Sequence, residues 1–181
     1  MSIIHHIRIY HAVLAVLALL AYMTGDDNAV HAWLGYGVAG VIVFRILWAF
    51  SGNPSVCLKR FYPSFDGLNL SNAFTHPAIT KTFMLGIALS LIAATSTGIM
   101  MDRGESIGFA KTEAITSAFA DDGGDEREHK EENFLDEALE EIHEFFGNLL
   151  LVFVSLHVSY LLMFKRPLAK FMLFLPKKKG Q

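Results

Sequence analysis

Apolar residues along this chain gather into four long runs, at about 9–24, 30–50, 82–101 and 143–164, and no other stretch approaches them in length. Each is close to the ~20 residues with which a helix crosses a hydrocarbon core about 30 Å thick. The pattern predicts an all-α fold, a transmembrane four-helix bundle forming a single membrane domain over residues 1–181. The first two runs are joined by a short connection. The second connection is longer and rich in Gly, Pro, Ser and Asn, and the third, 102–142, is long and acidic. Within it Phe134, Leu135, Leu139 and Ile142 recur at helical spacing, predicting an amphipathic helix that packs on the end of the bundle.

Composition supports the membrane reading: 52% of residues are hydrophobic and the mean hydropathy is +0.38, too apolar for an ordinary soluble domain. A single cysteine, Cys57, excludes an internal disulfide framework and a four-cysteine metal site, and reads as a spare thiol near a helix end. No small-x-small cleavage pattern follows the first apolar run, so it is expected to stay as an anchor. Basic residues then set the orientation. Arg8, Lys59, Arg60, Lys81, Lys165, Arg166, Lys170 and Lys177 to Lys179 fall on one side of four alternating helices. By the positive-inside rule that side is cytoplasmic, as are both termini. Asp26, Asp27 and the acidic 102–142 segment fall on the other, making it an external loop of a multi-pass membrane protein, periplasmic if the membrane is the cytoplasmic (inner) membrane of a Gram-negative bacterium.

Histidines carry the candidate chemistry. His143 and His157, fourteen residues apart on the last run, return to within about 40° of one direction after a rise of about 21 Å. They share a helix face and sit toward opposite leaflets. His31 opens the second helix at the depth of His143, and His11 lies near the inner end of the first, at the depth of His157. Ionisable groups in lipid are costly and have partners or functions. Neutral imidazole is a standard axial ligand of haem iron, so two facing pairs, His31 with His143 and His11 with His157, could each hold one b-type haem. Any one of these rings alone could instead serve an interhelical hydrogen bond. There is no Cys-x-x-Cys-His for covalent attachment.

Gly35 and Gly147 each follow an outer histidine by one turn, leaving bare backbone where a porphyrin edge could press; helix packing is the other use of such glycines, and of Gly37, Gly40 and Gly86. Arg45, inside the second run near the inner surface, could meet haem propionates through its guanidinium fork or snorkel to the interface. His5, His6 and His129 read as solvated, and His76 as a loop residue near the inner leaflet that could border a quinone pocket.

Taken in order, Arg8-Ile9-Tyr10-His11, His31-Ala32-Trp33-Leu34-Gly35, Phe44-Arg45-Ile46-Leu47-Trp48, Glu141-Ile142-His143 and Leu156-His157-Val158 resemble the bacterial cytochrome b561 and nickel-hydrogenase cytochrome b subunit family over nearly the full chain. Thr75-His76-Pro77 is similar to the stretch before the third helix in members that accompany periplasmic c-type cytochromes. The long acidic segment sets this chain apart. The resemblance implies four helices holding two b haems through His11, His31, His143 and His157, and electron transfer between a periplasmic partner and the quinone pool.

Ligation by two histidines leaves iron no open position for a substrate, so electron transfer is the expected task. The outer site would serve a periplasmic protein and the inner site quinone. The carboxylates from Asp121 to Glu144 would attract a basic surface such as that of a c-type cytochrome. Membrane lipid is an expected neighbour; nucleic acid is not. Other readings are an anchor subunit of a hydrogenase or other dehydrogenase, a superoxide:quinone oxidoreductase and, more remotely, a metal or proton transporter bundle.

Overall fold

The computed structural model describes residues 3–25, 28–50, 62–67, 69, 75–108 and 125–172. Among them are five helices and no strand: α1 (Ile3–Met23), α2 (Asn28–Ala49), α3 (Pro77–Asp102), α4 (Asp125–Phe164) and the short α5 (Arg166–Met172). The first four are long and apolar enough to cross a membrane. Their large apolar side chains stay largely uncovered, Val16 at 56%, Leu47 at 65% and Met163 at 67%. In lipid, as apolar as leucine, such a surface costs nothing. Asp26, Asp27, Cys57, Lys59, Arg60 and Lys177 to Lys179 lie outside the described residues, as do 109–124 and the side chain of His129.

Helix ends depart from the hydropathy bounds for local reasons. α1 begins at Ile3 and takes in His5, His6 and Arg8. α3 begins at Pro77, which lacks the N–H that a first helical position cannot use, and His76 caps it. His76 is extended (φ −66°, ψ 137°), and its Nδ1 accepts the Ala78 N–H at 3.2 Å. Its Nε2–H donates to the Asp66 carbonyl at 3.2 Å. His76 thus holds the 62–67 segment to the start of α3, as does Lys81 through the Tyr62 carbonyl at 3.2 Å. At its far end α3 stops at Arg103, left-handed with φ 47°, followed by Gly104 with φ 81°.

α4 has 40 residues and is therefore about 60 Å long, twice the hydrocarbon thickness. The expected amphipathic helix is present as the leading part of α4, continuous with the span, because the Asp125–Ile142 stretch is rich in the helix former Glu and holds neither Gly nor Pro. It does not pack on the end of the bundle. Phe134, Leu135 and Ile142 are 70%, 59% and 43% exposed, since a helix that continues straight cannot fold back. One tie braces it: Arg103 Nη2 donates to both oxygens of Asp136, at 2.7 and 2.9 Å. Being exposed, the pair contributes at most about 1 kcal/mol.

Inside the bundle α3 and α4 form the closest pair. Gly86, Ser90, Ala94 and Thr97 make a stripe of small residues on α3, with Ser90 1% exposed and Ala94 and Thr97 9%. Such stripes let helices in lipid approach closely. A Cβ on Gly86 would meet the Phe153 ring at 2.8 Å. Gly86→Ala is therefore expected to lower the thermal unfolding temperature in detergent, by the roughly 1–3 kcal/mol that overpacking costs, and Phe153→Leu in the same chain should restore it. α1 packs on α2 and α2 on α3, whereas neither α1 nor α2 closely approaches α4 through its backbone. At the other end α5 turns back, burying Ala169 beside Tyr160 and Leu161, with Ile79 and Phe83 against them. The Arg8 guanidinium lies 4.8 Å from the Phe171 ring centre and links α1 to α5.

Candidate functional site

The space left between α4 and the α1–α2 pair is bridged by side chains, and two of them are imidazoles. His31, in the first turns of α2, and His143, midway along α4, have ring centres 5.7 Å apart and planes at 85°. Each ring is fixed from behind. His31 Nδ1 lies 2.8 Å from the carbonyl of Ala21 in the last turn of α1, where carbonyls have no partner within the helix. His143 Nδ1 lies 2.9 Å from the Ala94 carbonyl and 3.2 Å from Thr97 Oγ1. A carbonyl only accepts, so both Nδ1 atoms carry the proton and Nε2 keeps the lone pair. Metal-binding histidines are oriented in this way, by giving the second ring N–H to a backbone carbonyl.

α3 supplies the rest of that seat. The Thr97 hydroxyl is itself held by the carbonyls of Ala93 and Ala94, at 2.9 and 3.0 Å. A Cβ on Gly98 would come within 3.0 Å of His143 Cε1, so the ring rests on bare backbone. Ala94, Thr97 and Gly98 escaped the sequence reading; the four-residue recurrence of small residues from Gly86 was the available signal. Around this end Tyr36 Oη donates to Asp102 Oδ2 at 2.7 Å, joining α2 to α3, and Ser106 Oγ donates to Asp102 Oδ1. Tyr22 Oη reaches Asn148 Oδ1 on α4 at 3.5 Å.

His11 and His157 come together from α1 and α4 within electrostatic range of each other. His157 is half-buried and His11 more open. Nδ1 of His157 is buried with no hydrogen-bond partner among the described residues, a state that costs roughly 1–3 kcal/mol unless a bound group takes it up. Arg45 is half-buried on α2 and acts electrostatically on Tyr10, the neighbour of His11. Gly35 and Gly147 both border open space: a Cβ on either would have nothing within 4 Å. Neither is a close-packing glycine of the Gly86 kind.

Among the described residues no three His, Cys, Asp or Glu side chains gather to hold a bare ion. The His31–His143 pair, with each Nδ1 proton given to a backbone carbonyl and each Nε2 keeping its lone pair, is a donor set that would suit a haem, which brings its own in-plane ligands. No curated protein and no solved structure matches the chain. A family model described as prokaryotic cytochrome b561 matches residues 6–174, a span that includes all four of these histidines, and the chain therefore belongs to that family.

Proposed function

We propose that this chain is a di-haem b-type cytochrome of the bacterial cytoplasmic membrane, one membrane domain that carries electrons between a periplasmic redox protein and the quinone pool. Family membership implies a b-type haem and electron transfer in a multi-pass membrane protein. Two haems are inferred from two pairs of rings: His31 with His143 on the outer side, His11 with His157 on the inner. The observation that carries the reading is the outer pair, whose rings oppose each other at 5.7 Å while each spends its Nδ1 proton on a backbone carbonyl. His31 and His143 are the residues that would hold a haem there, and it would supply one-electron transfer.

The chain's own groups set the conditions. Gly35 and Gly147 leave the neighbouring backbone bare, and Arg45 offers a guanidinium fork to propionate carboxylates at the inner end. Arg8 and α5 meet at the end of the bundle that also holds Lys165 and Lys81. This supports an arrangement in which that end, with both termini, is cytoplasmic. The haem-to-protein ratio of purified chain tests the proposal. A ratio near two is expected, with split α and β bands on reduction, and a folded chain that holds one haem or none overturns it.

The projecting part of α4 then faces the periplasm. It carries Asp136, Glu137, Glu140 and Glu141 beside exposed Phe134 and Leu135, an apolar centre with an acidic surround that suits a basic c-type cytochrome. Electron-transfer rates with such a partner should fall steeply as salt shortens the screening length from about 10 Å at 0.1 M to about 3 Å at 1 M. A flat response removes α4 from docking.

A further inference from the structure

α1 and α2 touch at Leu17 and Gly37, where a Cβ on the glycine would lie 3.7 Å from a leucine methyl. Toward the start of α1 and the end of α2 they leave an open cleft of about 650 Å³ between them, a size typical of small-molecule sites. Its walls are almost wholly apolar, and three are aromatic: Tyr10 on α1, with Phe44 and Trp48 on α2. Of the lining residues Tyr10, His6 and Trp48 carry polar atoms, and Tyr10 and His6 lie one turn apart on the same face of α1. Gly40 also lines it, yet a Cβ there would meet nothing within 4 Å. Helix contact does not explain that glycine; a flat wall does.

The cleft is distinct from the space between the histidine pairs. On the helical wheel His11 points about 150° away from the centre of the α1 lining. An occupant and the His11 side chain therefore lie on opposite sides of a single helix about 10–12 Å across.

We infer that this cleft is the binding site for the quinone. Its aromatic head lies among Tyr10, Phe44 and Trp48, with one carbonyl oxygen within reach of the Tyr10 and His6 donors, and its isoprenoid tail leaves through the open side into lipid. A phospholipid tail has no ring to stack and no acceptor for these donors, so it leaves both features unused. Binding stands on the cleft alone, whereas a role in electron transfer rests on reading His11 as a haem ligand. Conversion of quinone to quinol would take two electrons, passed on singly from the periplasmic donor by the haem that His11 and His157 would hold. It also takes two protons, one on each carbonyl oxygen, drawn from water where His6 is exposed.

The test is photolabelling of the full chain in lipid with an azido-substituted, short-tailed ubiquinone analogue, followed by peptide mapping. Label is expected on 6–13 and 37–48, reduced at least tenfold by decylubiquinone and unaffected by decanol. Gly40→Leu, whose Cβ meets no neighbour and whose side chain would occupy the cleft, and Trp48→Ala, which removes a stacking face, should each lose most of the label while haem content stays at the parent value. Label concentrated on α3 or α4, label unchanged in both variants, or equal competition by decanol, which marks a lipid-tail groove, overturns the assignment. The haem ratio is measured on the same samples, so a failure of the di-haem reading shows there and leaves the labelling result readable.

Discussion

On the proposed di-haem reading, His143→Ala is expected to purify with one haem in place of two, halving the Soret absorbance and reducing a two-step redox titration to one step. The substitution removes one of two axial donors. It also leaves Thr97 Oγ1 and the Ala94 carbonyl facing a hole in place of a ring N–H. The fold should survive, because α3 and α4 pack well beyond the imidazole, with Gly86 against the Phe153 ring. Added imidazole should enter the space left at position 143 and restore the second step. His31→Ala should give the same spectrum, and the double variant should lose no more than either alone, since both remove the same haem. Retention of two haems in His143→Ala overturns the pairing. So does loss of both from a chain whose helix content and unfolding temperature match the parent's.

Gly147 gives the second large effect, and its sign separates two readings of a glycine in a membrane helix. With nothing within 4 Å of a Cβ at that position, Gly147→Ala should stabilise the haem-free chain by up to the ~1 kcal/mol by which alanine exceeds glycine in a helix interior. Gly86→Ala, by contrast, meets the Phe153 ring and destabilises. A larger side chain is expected to act on the cofactor alone. Gly147→Phe should leave helix content and unfolding of the haem-free chain near the parent's, yet lower haem content to about one per chain by filling the space beside the outer pair. Unchanged haem content in Gly147→Phe would sink the view that this bare backbone borders a porphyrin.

The four spans were legible from hydropathy because lipid demands long apolar stretches, and the four histidines stood out because ionisable side chains are rare within them. Helix limits were less legible for a related reason. An apolar window ends where charge begins, but backbone hydrogen bonding continues as long as the residues favour it, and so α1 reaches back to Ile3 and α4 to Asp125. The start of α3 was written in His76-Pro77, a cap followed by a residue without an N–H, which needed local rather than periodic reading. The second layer of the site was hidden more deeply. α3 is apolar all round, so no stripe of polarity shows which side meets α4, and the carbonyl of Ala94 cannot be told from any other until two helices are in register. Small residues at four-residue intervals, Gly86, Ser90, Ala94 and Gly98, were the one clue, and Thr97 lies beside that line.

The unbroken run of α4 has a mechanical consequence. His143 and His157 ride on the same rod whose leading end stands clear of the bundle, steadied at the Arg103–Asp136 contact. A protein that seizes the free end and leans on it would swing both rings together about the tight α3 contact, as a lever turns about its fulcrum. Contact at the free end and the spacing of the rings would then change in a single movement.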